Sequence, residues 1–192
     1  MEVALQPVLL QLVGDGKFEI HPFQCKDDLL KNLPNRLRSY SHWLPPHWAV
    51  LVLVDRDDDH CQTLKQPMEA TAETAGLVSK TRAGQGNPFQ VVNRIVVEEL
   101  EAWFFGDWRA VQAAYPRVPA TIPARAKFRN PDAILGTWEA LERILKQAGY
   151  FKTGLRKMEC ARTVAQQMDP ARNTSDSFLA FVDAVNAAIA WV

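Results

Sequence analysis

Residues 49–59 read Ala-Val-Leu-Val-Leu-Val-Asp-Arg-Asp-Asp-Asp, an unbroken apolar run that ends in a cluster of acids. A strand that is apolar on both faces is typical of a parallel sheet covered by helices on both sides. In open α/β sheets, ligands bind at the carboxyl ends of the strands, which is where Asp55, Asp57 and Asp58 follow. Carboxylates this close repel one another, and a divalent cation among them relieves the repulsion. The run predicts either a metal site or a solvated acidic loop after a buried strand.

A second stretch, residues 89–105, repeats this layout of a strand followed by acids. Valine and isoleucine dominate its strand, and Glu98, Glu99 and Glu101 follow at once. Glu98 and Glu101 are three apart and share a face if a helix begins there. Acids in the first turn of a helix are also favoured by the helix dipole alone. The aromatic residues at 103–105 are predicted to belong to the core.

The order of elements predicts an α/β fold with a parallel sheet flanked by helices, because strands alternate with helical patterns over the first 105 residues. Four segments have the composition of strands: residues 17–23, 49–54, 77–81 and 89–97. The chain from residue 132 onward is predicted to be mainly helical. We expect an α/β core over residues 1–110 and a helical extension over residues 111–192, packed together as one domain.

The composition is that of an ordinary globular protein, with 47% hydrophobic and 23% charged residues and a formal net charge of zero. No apolar run approaches the roughly 20 residues that a membrane helix needs, and no secretory signal is predicted. The three cysteines form no Cys-x-x-Cys pair, so neither a disulfide framework nor a zinc knuckle is indicated. A reducing cytoplasm is therefore the expected location.

Charge is unevenly distributed along the chain. Residues 49–107 hold 10 acidic and 5 basic side chains, whereas residues 109–172 hold 12 basic and 5 acidic ones. This pattern suits a metal site beside a polyanion-binding surface, and it equally suits two packed halves whose charges compensate. The basic half includes a segment rich in proline and cations at residues 116–131, whose length is typical of a functional loop or lid.

Several enzyme classes are disfavoured because their motifs are missing. No Gly-x-Gly-x-x-Gly follows a strand, no Gly-x-Ser-x-Gly elbow is present, and the loop at residues 82–88 lacks the Lys-Ser/Thr ending of a Walker loop. Haloacid-dehalogenase phosphatases carry their Asp-x-Asp on the first strand and want Thr or Val where this chain has Asp59. Nucleotide-sugar transferases also use Asp-x-Asp, but 192 residues are few for such an enzyme.

The chain resembles a Toprim-like domain in its order of elements: strand, helix, strand, Val-Leu-Val-Asp-Arg-Asp-Asp at 52–58, helix, and Val-Glu-Glu-Leu-Glu-Ala-Trp at 97–103. More narrowly, it resembles a bacterial Toprim-like family of unknown function whose genes often lie beside an ATPase gene. It is similar, more distantly, to the nuclease part of overcoming-lysogenization-defect proteins. The likeness covers residues 2–178. It implies a Toprim-like (Rossmann-like) sheet, an ATPase partner and a role in defence against foreign DNA.

Toprim domains hold magnesium with three acidic clusters while they cut or join phosphodiesters. The resemblance matches the second and third clusters to this chain and assigns a Mg²⁺ or Mn²⁺ site to five acids: Asp55, Asp57, Asp58, Glu98 and Glu101. Glu99 is a rival to Glu98 in the third cluster. The first cluster is a Glu that ends a strand preceding the helix at Met1. That strand is expected to lie upstream of Met1 or to be absent.

The same resemblance implies a magnesium-dependent nuclease or a related phosphoryl-transfer protein, with Asp55, Asp57 and Glu98 as catalytic residues. Lys152 and Lys157 are predicted to stabilise negative charge in the transition state, although both also fit solvated helix-end cations. Four further cations are predicted to contact nucleic-acid phosphates: Arg125, Lys127, Arg129 and Arg156. The alternative is a catalytically degenerate subunit that serves as an interaction module for the ATPase, and the missing first strand favours it.

Overall fold

The structure is a computed structural model that describes residues 1–57 and 59–190. Its regular elements are, in chain order, α1 (Glu2–Val13), α2 (Lys26–Trp43), β1 (Val50–Asp55), α3 (Cys61–Thr74), α4 (Lys80–Ala83), β2 (Val91–Val96), α5 (Glu101–Gly106), α6 (Trp108–Ala114), α7 (Thr137–Gln147), α8 (Lys157–Ala165) and α9 (Asp176–Ile189). Two short 3₁₀ turns, Ala126–Phe128 and Pro131–Ala133, lie between α6 and α7. Among the helices of the described residues, none has the length and apolar character that crossing a membrane requires.

The sheet consists of β1 and β2, which pair in parallel with Val50 opposite Val91 and Asp55 opposite Val96. Parallel strands need a crossover connection, which here contains α3 and α4. The predictions of strands over residues 49–54 and 89–97 are confirmed, as is a mixed α/β fold with a parallel sheet flanked by helices and a helical C-terminal part.

The chain divides into two compact units, which we call the sheet unit (residues 21–96 and 183–192) and the helical unit (residues 1–20 and 97–182). The predicted boundary at residue 110 between an α/β core and a helical extension stays a prediction. Helix α9 contributes its first half to the helical unit and its second half to the sheet unit.

The sheet unit buries both faces of its two strands. On one face, Val52, Val54 and Val91 pack with a cluster from α2 and α3 that includes Leu37 and Met68, both fully buried. On the other face, a smaller cluster comprises Phe89, Val92 and Ala184. Burial on both faces explains why the strands read as continuous apolar runs in the sequence.

The helical unit is organised around three consecutive aromatic residues of α5. Trp103, Phe104 and Phe105 are at most 3% exposed, which confirms that they belong to the core. The Trp103 ring lies 5.0 Å from that of Phe178, between ring centroids, and its indole N–H donates to the Ser177 hydroxyl over 2.9 Å. These contacts join α5 to the start of α9.

Two of the predicted strands are wrong. Residues 17–23 form no strand, because their isolated apolar side chains Phe18 and Ile20 are only half-buried and the segment pairs with no strand of the described chain. Residues 77–81 contribute a single bridge, Ser79 to Val91, before α4 begins. The Ser79 hydroxyl accepts a hydrogen bond from the Arg82 amide and so acts as an N-cap that favours the helix.

We expect Gly106→Ala to destabilise the protein by about 2 kcal/mol or more, although the same change stabilises an ordinary helix by about 1 kcal/mol. A β-carbon at position 106 would clash with the side chain of Asn173 and lie 3.0 Å from the Ser175 amide. Asn173 is buried and cannot move without losing its hydrogen bond to the Trp103 carbonyl. Urea denaturation measures the change, and a variant as stable as the parent would contradict it.

Candidate functional site

The acidic loop that follows β1 belongs to the sheet unit. Asp55 is the last residue of β1 and is half-buried, and Asp57 follows in an exposed turn with a left-handed backbone (φ 49°) that Asp tolerates better than most residues. Asp59 is also exposed. Asp58, predicted as a metal ligand, lies outside the described residues. The predicted pair Asp55 and Asp57 is therefore carried at the carboxyl end of a parallel strand.

A lysine from the first turn of α2 lies in this loop. The Lys26 ammonium is 2.8 Å from Oδ2 of Asp57 and 2.7 Å from Oδ2 of Asp59, and it donates to the Arg56 carbonyl over 3.2 Å. Burial lowers the pKa of Lys26, but the hydrogen bonds and charges of Asp57 and Asp59 outweigh it, so the pKa lies above its ordinary value. The sequence pattern did not predict this cation, because Lys26 is about 30 residues away from the loop.

The oxygens that meet at Lys26 are of the kind that bind magnesium. Two carboxylates and a backbone carbonyl converge on one positive charge, and oxygen donors of this type suit Mg²⁺ and Mn²⁺. Within residues 1–57 and 59–190, no group of three or more His, Cys, Asp or Glu side chains is arranged to hold a metal ion. The loop fits a divalent cation in the chemistry of its donors.

The second acidic run, residues 98–101, belongs to the helical unit. Glu98 is half-buried, precedes the helix and has a left-handed backbone (φ 61°), and Glu101 is the first residue of α5. Oε2 of Glu99 accepts hydrogen bonds from the Thr137 hydroxyl (2.8 Å) and the Trp138 amide (3.1 Å). Glu99 therefore caps the N-terminus of α7, a role that was not predicted.

Glu101 and Lys157, both in the helical unit, are close enough for their charges to interact. Burial raises the pKa of Glu101 above its ordinary value, the charge of Glu99 raises it further, and Lys157 acts in the opposite direction. The Lys157 ammonium lies over the Trp138 ring, 3.8 Å from its centroid. Two predicted residues, Glu101 and Lys157, are thus close enough to interact, whereas Lys152 lies exposed in a turn before α8.

The cationic segment predicted to bind nucleic acid also belongs to the helical unit. Arg125, Lys127 and Arg129 are exposed, and they flank Phe128, whose ring stacks on Phe105 at a centroid distance of 5.3 Å. The three cations form no ion pair within the described part of the chain, whereas Arg156 is bound to Glu159 over 3.0 Å. A buried aromatic anchor thus holds a surface turn that presents three positive charges.

An open cavity of about 450 Å³ lies beside this turn. Its lining consists of Ala126, Lys127, Asn130, Ala133, Ile134 and Leu135. Its lining is largely apolar, and the Leu135 side chain in it is 78% exposed.

The described chain is thus a mixed α/β protein with two runs of acidic residues, one at the end of β1 and one before α5. A family model matches residues 1–186, and its description is Domain of unknown function (DUF4276). Since the match spans nearly all of the chain, the protein belongs to this family. No curated protein and no solved structure matches the chain.

We expect Glu101→Gln to stabilise the protein at neutral pH and to have little effect in acid. A carboxyl whose pKa is raised on folding costs stability once the pH exceeds the value in the unfolded chain, and the cost grows until the pH passes the folded value. The amide removes that cost. Thermal unfolding at pH 4, 6 and 8 in the presence of a chelator measures it, with exposed Glu139→Gln as the control. A gain that does not grow with pH would contradict the prediction.

Proposed function

We propose that the protein is a magnesium-dependent nuclease, or a related phosphodiester phosphoryl-transfer protein, of Toprim type. The observation that carries the proposal is the loop after β1, where oxygens of Asp57, Asp59 and Arg56 surround a positive charge at the carboxyl end of a parallel strand. Ligand sites of open α/β sheets lie at this end of their strands. The Toprim-like assignment is further supported by the parallel pairing of two strands that both lead into acids.

Asp55 and Asp57 are the ligands that the sheet unit supplies on this proposal, and the resemblance adds Asp58, Glu98 and Glu101. Mg²⁺, when bound, would neutralise a phosphate and lower the pKa of a bound water. Asp55 is half-buried at the end of β1, whereas Asp57 is exposed in the turn that follows. Lys152 and Lys157 are proposed to face negative charge on the reacting phosphate.

Nucleic acid is the proposed substrate because the basic turn presents three exposed cations to solvent. Arg125, Lys127 and Arg129 are exposed and form no ion pair with the described residues, so their charges are available to phosphates. Arg156 would have to exchange its contact with Glu159. The ATPase partner and the role in defence against foreign DNA rest on the resemblance alone.

The alternative, a degenerate Toprim-like subunit that serves as an interaction module for the ATPase, is favoured by a different feature of the same loop. Lys26 already supplies one positive charge to Asp57 and Asp59, so part of the role of a metal is filled by a side chain. Glu99, a rival for the third cluster, is engaged as a helix cap. The two proposals differ in whether the protein binds a divalent cation and cuts DNA.

We expect the protein to cleave plasmid DNA with Mg²⁺ or Mn²⁺, and Asp55→Asn to slow cleavage by roughly 100-fold, as expected when about 3 kcal/mol of metal-dependent stabilisation is lost. The exposed Asp15→Asn is the matched control and should leave the rate unchanged. Calorimetric titration with Mn²⁺ accompanies the assay. The absence of Mn²⁺ binding contradicts the metal site and favours the interaction module, and binding without cleavage contradicts the nuclease activity of the isolated chain.

We expect the triple change of Arg125, Lys127 and Arg129 to Ala to weaken DNA binding and to lower the salt dependence of binding. Each phosphate contact contributes about 0.9 to the slope of log K against log salt, so the slope should fall by up to about 2.7. Fluorescence anisotropy at several salt concentrations measures it, with Arg143→Ala as a control in the same unit. An unchanged slope would show that this turn does not bind phosphates.

A further inference from the structure

We propose that Lys26 is a tethered cation that competes with a divalent metal for the loop after β1, and thereby sets the metal affinity of that loop. The inference rests on the proposed function, whose metal site it shares. It concerns a residue that neither the sequence pattern nor the resemblance singled out.

The first step is the way in which the Lys26 ammonium is held. An ammonium group has three N–H donors, and three oxygens lie within reach of this one: Oδ2 of Asp57 (2.8 Å), Oδ2 of Asp59 (2.7 Å) and the Arg56 carbonyl (3.2 Å). All three acceptors belong to the loop itself, on Arg56, Asp57 and Asp59. The Lys26 ammonium therefore occupies the loop as a bound cation would, in contact with three oxygen atoms.

The second step is the position of the ammonium relative to solvent. The Lys26 side chain is 18% exposed, whereas those of Asp57 and Asp59 are 51% and 48% exposed. The cation is thus less accessible to solvent than the two carboxylates that it binds. A metal ion arriving from solvent would meet carboxylates whose negative charge is already partly neutralised from behind.

The third step is electrostatic. A divalent ion bound to Asp57 or Asp59 would lie within a few ångströms of the ammonium, and like charges at that range disfavour each other. When a metal ion binds, the ammonium must therefore either move away or remain nearby and weaken the binding through charge repulsion.

The same contact also explains how the loop keeps its conformation without a metal. Asp57 has a left-handed backbone and lies two residues away from Asp59, so the two carboxylates would repel each other. Lys26 holds both of them from the first turn of α2. The ammonium thus serves as an internal counterion that a metal would displace.

The test is Mn²⁺ binding by the full chain, measured by calorimetry and by electron paramagnetic resonance of the free ion. We expect Lys26→Met to lower the Kd by roughly tenfold, equivalent to about 1.4 kcal/mol. Lys26→Arg keeps the charge and should bind within about twofold of the parent. Lys31→Met, an exposed lysine on the same helix, is the matched control and should change nothing.

A purely structural role for Lys26 predicts the opposite sign, since loss of the tether would loosen the loop and weaken Mn²⁺ binding. Weaker or equal binding by Lys26→Met overturns the inference and leaves the proposed function standing, provided that the parent binds Mn²⁺. Binding by neither protein overturns both. Circular dichroism verifies folding, and Lys26→Gln, which removes the charge but stays polar, decides the outcome if the Met variant is misfolded.

Discussion

The parallel pairing of β1 and β2 is the constraint on which the rest of the sheet unit depends. Its register places Asp55 opposite Val96, the last residue of each strand, so the acidic loop begins where both strands end. The amide of Arg56 still donates to the Val96 carbonyl over 2.8 Å, which extends the pairing one residue beyond the strand. The acidic loop therefore starts from a fixed point, and only the residues after Arg56 are free to turn.

In the two acidic runs, the repulsion between neighbouring carboxylates is reduced in different ways. In the loop after β1, Lys26 supplies a positive charge to two carboxylates. In the run before α5, Glu99 accepts hydrogen bonds at the N-terminus of α7, and partial burial of Glu101 makes its ionised form less favourable and raises its pKa. Exposed carboxylates and a shared counterion leave the first run better suited to exchange one cation for another.

The sequence predicted those features that depend on local composition. The strands at 49–54 and 89–97 were found because burial on both faces demands continuous apolar residues, and the aromatic core of α5 was found for the same reason. The segment at 17–23 was misjudged, since two alternating apolar residues do not provide a strand with a partner. Positions of acids relative to strand ends were likewise visible in the sequence.

Contacts between distant segments could not be read from such patterns. Lys26 reaches its partners across about 30 residues, and Glu99 reaches Thr137 across 38. Nothing in the composition around either residue distinguishes it from an ordinary surface charge. Both contacts involve the first turn of a helix, but for different reasons. A free backbone amide of α7 donates to the Glu99 carboxylate, whereas the Lys26 ammonium at the start of α2 is held by the acids of the loop.

An ammonium and a divalent ion can both reduce the repulsion between neighbouring carboxylates, but they differ in how they are retained. A bound metal can be lost by dilution or chelation, which leaves its carboxylates to repel one another, whereas a lysine on α2 remains at high local concentration. On the proposed function, Lys26 stabilises the loop in the absence of metal and holds Asp57 and Asp59 in place for a divalent cation. On this proposal the loop keeps its conformation without a metal, and its affinity for metal depends on how readily the Lys26 ammonium is displaced.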